Sequence, residues 1–356
     1  MNWQNSITKL LDVKFPIIQA PMFGVSTPDM VAAASNVNCL GSLALGDMSA
    51  ADCSKLIRAT KQLTDKNFAV NIFVHRIPEV TDELRINYDK TKNFLQELAQ
   101  QNHLEVEFPN LEDIKLNSYH EQIDAIIAEN CKIVSFTFGN LDPESIDKLK
   151  DSGTILIGTC TSVNEALILE NSGIDIICVQ GTEAGGHRGS FEEEMIPQIG
   201  GLSLLAQVYD AVKVPIIYAG GIYNERTLLA AKTLGAQGFQ VGTMLMGSQE
   251  SAHQEFEKQR LDNVNEKDII LTKSFSGRYA RGVKNNFIES VENTEFILPY
   301  PYQNKLTNAL RKAAKENQNS DFVSIWTGQS VNQLGKNSTT EILEDLINKV
   351  EKSEIK

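Results

Sequence analysis

Short apolar runs recur along the first two-thirds of the chain, each closed by glycine or a small polar residue and mostly followed by a stretch of helical spacing. They fall at 15–21 (FPIIQAP), 40–45 (LGSLAL), 68–74 (FAVNIFV), 133–138 (IVSFTF), 155–158 (ILIG), 174–180 (IDIICVQ), 214–219 (VPIIYA) and 238–242 (GFQVG). Runs of this length, rich in Val, Ile and Phe and apolar on both faces, predict strands of a parallel sheet covered by helices. A single such run could be a buried helix segment. Eight in series, with helices between most of them, argue against that.

The polar positions between the runs carry helix signals. Ser162-Val-Asn-Glu165 is a capping-box pattern opening a helix over 163–171, which Gly173 stops. Thr27-Pro28-Asp29 puts proline in the first turn of another. Asn224 is placed to cap 225–234, ended by Gly235. Eight strand–helix units predict an α/β chain folded as a (β/α)8 TIM barrel, for which about 250 residues is usual. A doubly wound open sheet is the competing arrangement. Two stretches break the alternation: 76–130, read as an insertion after the third strand, and 247–329, too long for a simple loop. The second mixes a charged helix over 249–260 with Tyr279, Tyr300 and Tyr302, and is expected to cap the barrel mouth. Apolar positions at helical spacing over 339–352 predict an outer helix. The expected division is a barrel over 1–246, a smaller inserted cap domain over 247–324 and a returning segment over 325–356.

Composition narrows the function. The 356 residues are 42% apolar and 22% charged, enough to bury a large core. The net charge of −13 argues against a nucleic-acid partner held through phosphates and against an anionic membrane surface. The start lacks a secretory pattern, and the longest apolar runs fall far short of the roughly 20 residues that span a bilayer. Five cysteines without a CxxC pair make a disulfide scaffold or a structural zinc site poor readings. A cytoplasmic protein is expected.

The chemistry should sit at the carboxyl ends of the strands. There the sequence holds Gln180-Gly-Thr-Glu-Ala-Gly-Gly-His-Arg-Gly189, then Gly220-Gly221, then Gln240-Val-Gly-Thr243. Glycines at adjacent strand ends let backbone N–H groups approach a phosphate, so a phosphate cradle is expected rather than mere tight turns. Asn71 and Gln180 place amides in or at the end of apolar runs, where they need partners. An isoalloxazine edge would satisfy them; so would a neighbouring strand. Among five histidines, His103, His120 and His253 sit in polar surroundings that predict a solvated role. Arg76 suggests the same for His75. His187, flanked by Gly185, Gly186 and Gly189, can approach a substrate closely and suits general-base work. No spacing suggests a metal site. Glu183 is the alternative base.

These segments resemble the nitronate monooxygenases, formerly called 2-nitropropane dioxygenases, from Pro16-Ile-Ile-Gln-Ala-Pro-Met22 through to Trp326-Thr-Gly-Gln329. The resemblance implies an FMN-dependent (β/α)8 barrel. Asn71, Gln180, Gly185, Gly186, Gly220, Gly221, Gln240, Val241, Gly242 and Thr243 fall where the family binds FMN. Gln19, Ala20, Pro21 and Met22 match the segment beneath the flavin, and His187 matches the active-site histidine. The implied reaction is oxidation of a small-molecule alkyl nitronate by molecular oxygen, giving a carbonyl compound and nitrite. His187 would either stabilise the anionic nitronate or take the α-proton of a neutral nitroalkane. Tyr300, Tyr302 and Lys305 either shape the substrate pocket or form an ordinary turn before a helix. The same barrel also suits an FMN-dependent NAD(P)H reductase of quinones or enoyl thioesters, or a flavin-binding protein without turnover.

Overall fold

The computed structural model describes residues 2–331 and 334–353. Its strands are β1 (Ile17–Gln19), β2 (Gly41–Gly46), β3 (Phe68–Phe73), β4 (Ile133–Thr137), β5 (Ile155–Cys160), β6 (Ile176–Gln180), β7 (Gly186–His187), β8 (Ile216–Ala219), β9 (Gly238–Val241), β10 (Ile269–Thr272) and β11 (Ala280–Val283). Every apolar run of the sequence became a strand. Eight of them form one parallel sheet in the order β1-β9-β8-β6-β5-β4-β3-β2. Its edges meet, because Leu40 donates to the Ile17 carbonyl and accepts from the Gln19 amide, both at 2.9 Å. The sheet is therefore a closed barrel, not an open doubly wound sheet.

Side chains alternate along each strand, so one set of positions faces inward. Low in the barrel that set is apolar: Ile18, Ala69, Ile133, Ile157, Ile176 and Ile217 cluster with Ile7 and Leu11 of the helix Ser6–Leu11, which plugs this end. Two or four residues further along the same faces stand Asn71, Ser135, Thr159 and Gln180. The interior thus changes from apolar to polar along the strand direction. Outward positions such as Val70, Val134 and Val179 pack under the surrounding helices.

Ser162 caps its helix as expected, accepting from Glu165 N–H. The Glu165 carboxylate does not close a capping box. It is buried and accepts from Thr161 and Phe191 N–H at 2.6 and 2.9 Å, because the chain after β7 offers unsatisfied donors there. The helix after β9 is supplied last: Thr339–Ser353 packs against Glu225–Thr233 and Pro28–Asn36 and closes the ring. The charged helix expected over 249–260 begins later, at Glu255.

The two irregular stretches meet. Leu84, Tyr88 and Leu95 of the helix Asp82–Gln101 share a second apolar core with Phe287, Leu306 and Leu310. The Tyr302 hydroxyl donates to the Pro78 carbonyl at 2.7 Å across the same junction. A three-stranded antiparallel sheet, β10-β11-β7, joins this body to the loop after β6.

Candidate active site

A cavity of about 470 Å³ lies over the carboxyl ends of the barrel strands. Tyr300, Asn304, Asn308 and Arg311 cover it, the last three on one face of the helix Tyr302–Glu316. All the predicted site residues line it except Gln19 and Val241. Val241 points outward into the core between sheet and helices. Gln19 is fully buried; its Oε1 accepts from Ser42 N–H at 2.9 Å, and its Nε2 donates to Ser26 Oγ at 2.9 Å and to the Ala20 carbonyl. It ties β1 to β2 and shapes the turn that presents Ala20, Pro21 and Met22.

The glycines divide by role. Gly186, Gly220 and Gly221 have φ of 72°, 125° and 67°, which L side chains disfavour. A Cβ on Gly186 would meet nothing within 4 Å, so bare backbone faces the cavity there. A Cβ on Gly242 would make ordinary contacts, 3.4 Å from Ala20 Cβ and 3.6 Å from Met22 Sδ. Gly185 is different: a Cβ would lie 2.4 Å from Gly328 N, so this glycine lets the returning strand of chain pass.

His187 is fixed by backbone. As half of β7 it pairs with Ala280 of β11, while Arg188 N–H donates to the Tyr279 carbonyl at 2.8 Å. Gln180 braces the same loop from below, donating to the His187 carbonyl at 3.0 Å and accepting from Gly189 N–H at 2.9 Å. Asn71 finds Ser135 Oγ on the neighbouring strand at 2.9 Å. Each amide therefore has a protein partner. Glu183 also lines the cavity and accepts from the Tyr218 hydroxyl and from Gly201 N–H, at the start of the helix Gly201–Ala211.

The imidazole stands among aromatic rings, with centroids of Phe138 and Trp326 at 5.5 Å, Phe73 at 6.3 Å and Tyr300 at 6.5 Å. Phe138 holds φ at +79°, a conformation costing on the order of 1–3 kcal/mol, and so turns its ring toward His187. Burial, then the positive charges of Arg278 and Arg311, push the His187 pKa down to about 3. The ring is neutral. Its Nε2 lies 2.8 Å from Ser276 Oγ, whose single proton goes to the Arg278 carbonyl at 3.0 Å. On that assignment Nε2 carries the hydrogen and Nδ1 keeps a free lone pair.

Sequence reasoning missed several lining residues. Thr137 and Thr159 follow from strand alternation, two places beyond buried inward positions. Arg311, which lines the cavity, and Ser276 and Arg278, which act on His187 from behind it, carry no local signal and are brought in by the cap. Two histidines differ from expectation. His75 packs edge-on against Tyr300 at 4.6 Å, since the cap covers the strand end; burial lowers its pKa to about 4. His253 is buried beside Glu257, 3.3 Å away, because both lie beneath the cap helix that carries Lys315. Of the Tyr300, Tyr302 and Lys305 group, only Tyr300 lines the cavity; Lys305 pairs with Asp47 at 2.7 Å. All five cysteines are free and buried. Among the described residues no cluster could hold a metal, and no helix is long and apolar enough to cross a membrane.

The family model for nitronate monooxygenase matches residues 4–349 of this chain. The chain belongs to the nitronate monooxygenase family. A probable nitronate monooxygenase of Staphylococcus aureus is 37% identical over 350 residues, 98% of this chain and 97% of that protein. Among solved structures, the nitroalkane oxidase from Streptomyces ansochromogenes superposes with a TM-score of 0.89 at 31% identity, covering 99% of both chains. FabK from Thermotoga maritima gives 0.76 at 25% identity, covering 99% of this chain and 97% of that one. The protein is thus a flavin-dependent oxidoreductase on a TIM barrel, acting on a small molecule with oxygen.

Proposed function

We propose that this family member binds FMN and oxidises alkyl nitronates with molecular oxygen to carbonyl compounds and nitrite. The observation that carries this reading is His187, enclosed by four aromatic side chains directly beside strand ends of bare glycine backbone.

The residues present fit a flavin mononucleotide. Gly220, Gly221, Gly242 and Thr243 offer main-chain N–H groups at adjacent strand ends for the phosphate. Asn71, Gln180 and Gln240, with Ala20 to Met22, line the cavity and would surround the ring, the amides of Asn71 and Gln180 being held by Ser135 and by the His187 loop. When bound, the flavin supplies the electron chemistry. The protein's part is to hold the substrate carbon in a dry enclosure and to offer Nδ1 of His187 as a hydrogen-bond acceptor. An imidazole with so low a pKa is a weak base, which favours a preformed nitronate over a neutral nitroalkane. It also argues against a protonated His187 as the anchor of the anion. Residues 247–324 act as the cap that excludes water from the barrel of 1–246, with 325–356 returning to it. Five buried thiols suit a cytoplasmic setting.

Anaerobic mixing of the purified holoenzyme with ethyl nitronate, NADH or NADPH tests the assignment. Rapid loss of flavin absorbance with the nitronate alone is expected. Reduction only by a nicotinamide would make the protein a reductase. Chromatography of the heat-released cofactor should show FMN.

A further inference from the structure

A nitronate is an anion, and a neutral His187 cannot balance its charge. The cations around the cavity are nearly all spent. Lys315 pairs with Glu257 at 2.9 Å, Lys305 with Asp47, and Arg278 with Glu193 at 2.6 Å. Buried Arg188 donates to the Gly181 and Gln180 carbonyls, and Arg281 to Thr182. Of the cations that line the cavity, Lys315 is thus paired and Lys312 is exposed to solvent, whereas Arg311 is half-buried and has no ion pair among the described residues. Its Nη2 donates to the main-chain carbonyl and the Oδ1 of Asn304 at 2.7 and 2.8 Å, and its Nε to the Thr307 carbonyl. These are neutral oxygens of its own helix. They fix the guanidinium plane and leave Nη1 without a partner among the described residues. Arg311 lines the cavity, and no carboxylate lies within 4.0 Å of it. Beside it Tyr300 also lines the cavity, and its hydroxyl is buried with no hydrogen-bond partner.

A half-buried cation with no carboxylate in contact and an orphaned phenol are both costly unless a ligand completes them. Together they present donors to one side of an aromatic box. We propose that Arg311 and Tyr300 form an anion subsite that receives the two oxygens of the nitronate group, leaving the substrate carbon toward His187. This rests on the nitronate reading above. With Nε and Nη2 held by its own helix, Nη1 would donate to one nitronate oxygen and the Tyr300 hydroxyl to the other.

Sodium nitrate, a planar and unreactive anion, is the probe, titrated into the FMN holoenzyme and followed by the flavin's visible spectrum. Arg311→Gln should raise the nitrate Kd and the KM for ethyl nitronate by about 10–100-fold, as expected for a lost charge-assisted hydrogen bond. The KM for neutral nitroethane should move much less, and flavin content should hold. Arg311→Lys should recover part of the affinity, and Tyr300→Phe should cost less than Arg311→Gln. An unchanged nitrate Kd in Arg311→Gln overturns the subsite. Loss of flavin from that variant would assign Arg311 to the cofactor instead, which also overturns it. If Arg311→Gln does not fold, Tyr300→Phe decides: an unchanged nitrate Kd there overturns the subsite. A wild-type enzyme inert toward ethyl nitronate sinks the nitronate reading separately, since the nitrate titration still reports on Arg311.

Discussion

Ile176 and Gln180 lie on one strand and face the same barrel interior, four residues apart, yet they serve opposite ends of the molecule. Ile176 is fully buried in the apolar floor with Ile7, Leu11 and Ile157. Gln180 lines the cavity and spends its amide on the loop that carries His187. The floor is held by contacts that do not care about direction; the mouth is held by directional hydrogen bonds that place one ring. The barrel therefore separates stability from chemistry along a single strand.

The sharpest break of that separation is Ile176→Ala. A cavity in the floor should cost about 2–5 kcal/mol of unfolding free energy, read from denaturant curves. The protein that remains folded should still carry its full complement of flavin and normal kcat. Loss of flavin from the folded fraction would mean that floor and mouth are coupled. At the mouth, His187→Asn should lower kcat for neutral nitroethane, whose α-proton a base must take, by about 10²-fold per bound flavin, and turnover of ethyl nitronate, already deprotonated, much less. A raised KM at normal kcat would instead give His187 the anchoring role assigned here to Arg311.

Gly242→Val sharpens the contrast at the cradle. Its backbone is not left-handed and its Cβ would fit against Ala20 and Met22, so apoprotein stability should move by less than about 1 kcal/mol. The added side chain points where a phosphate needs bare backbone, and flavin retention on a desalting column should fall several-fold. Gly221→Val is the less clean test, because φ of +67° strains any side chain there. The smallest effect concerns acid. His187 titrates at about 3 when folded and near 6.5 when unfolded, so between those values only the unfolded chain binds that proton. Stability should fall as pH drops below about 6.5, by up to about 1.4 kcal/mol per pH unit for this group. His187→Asn should show a shallower decline of thermal midpoint between pH 7 and 5; an equal slope would mean that the ring is already protonated in the folded state.

How much of this the sequence determined follows from the range of the forces. Strand alternation and helix caps are local, so the runs at 174–180 and 238–242 and the cap at Asn224 were legible residue by residue. Main-chain freedom is local too, and the glycines beside His187 and at 220–221 marked the mouth before any contact was known. Fates set by a distant partner were not legible. His253 sits in polar sequence and His75 beside Arg76, yet the cap buries the first and half-buries the second against Tyr300. Gln19, on a segment matched to the cofactor, turned its amide to Ser42 and Ser26 because β2 and the following turn lay there to receive it. Arg311 stands on a helix more than a hundred residues from His187. Only the packing of the cap over the barrel brings its charge to the imidazole, because burial and Coulomb forces depend on distance in space and not along the chain.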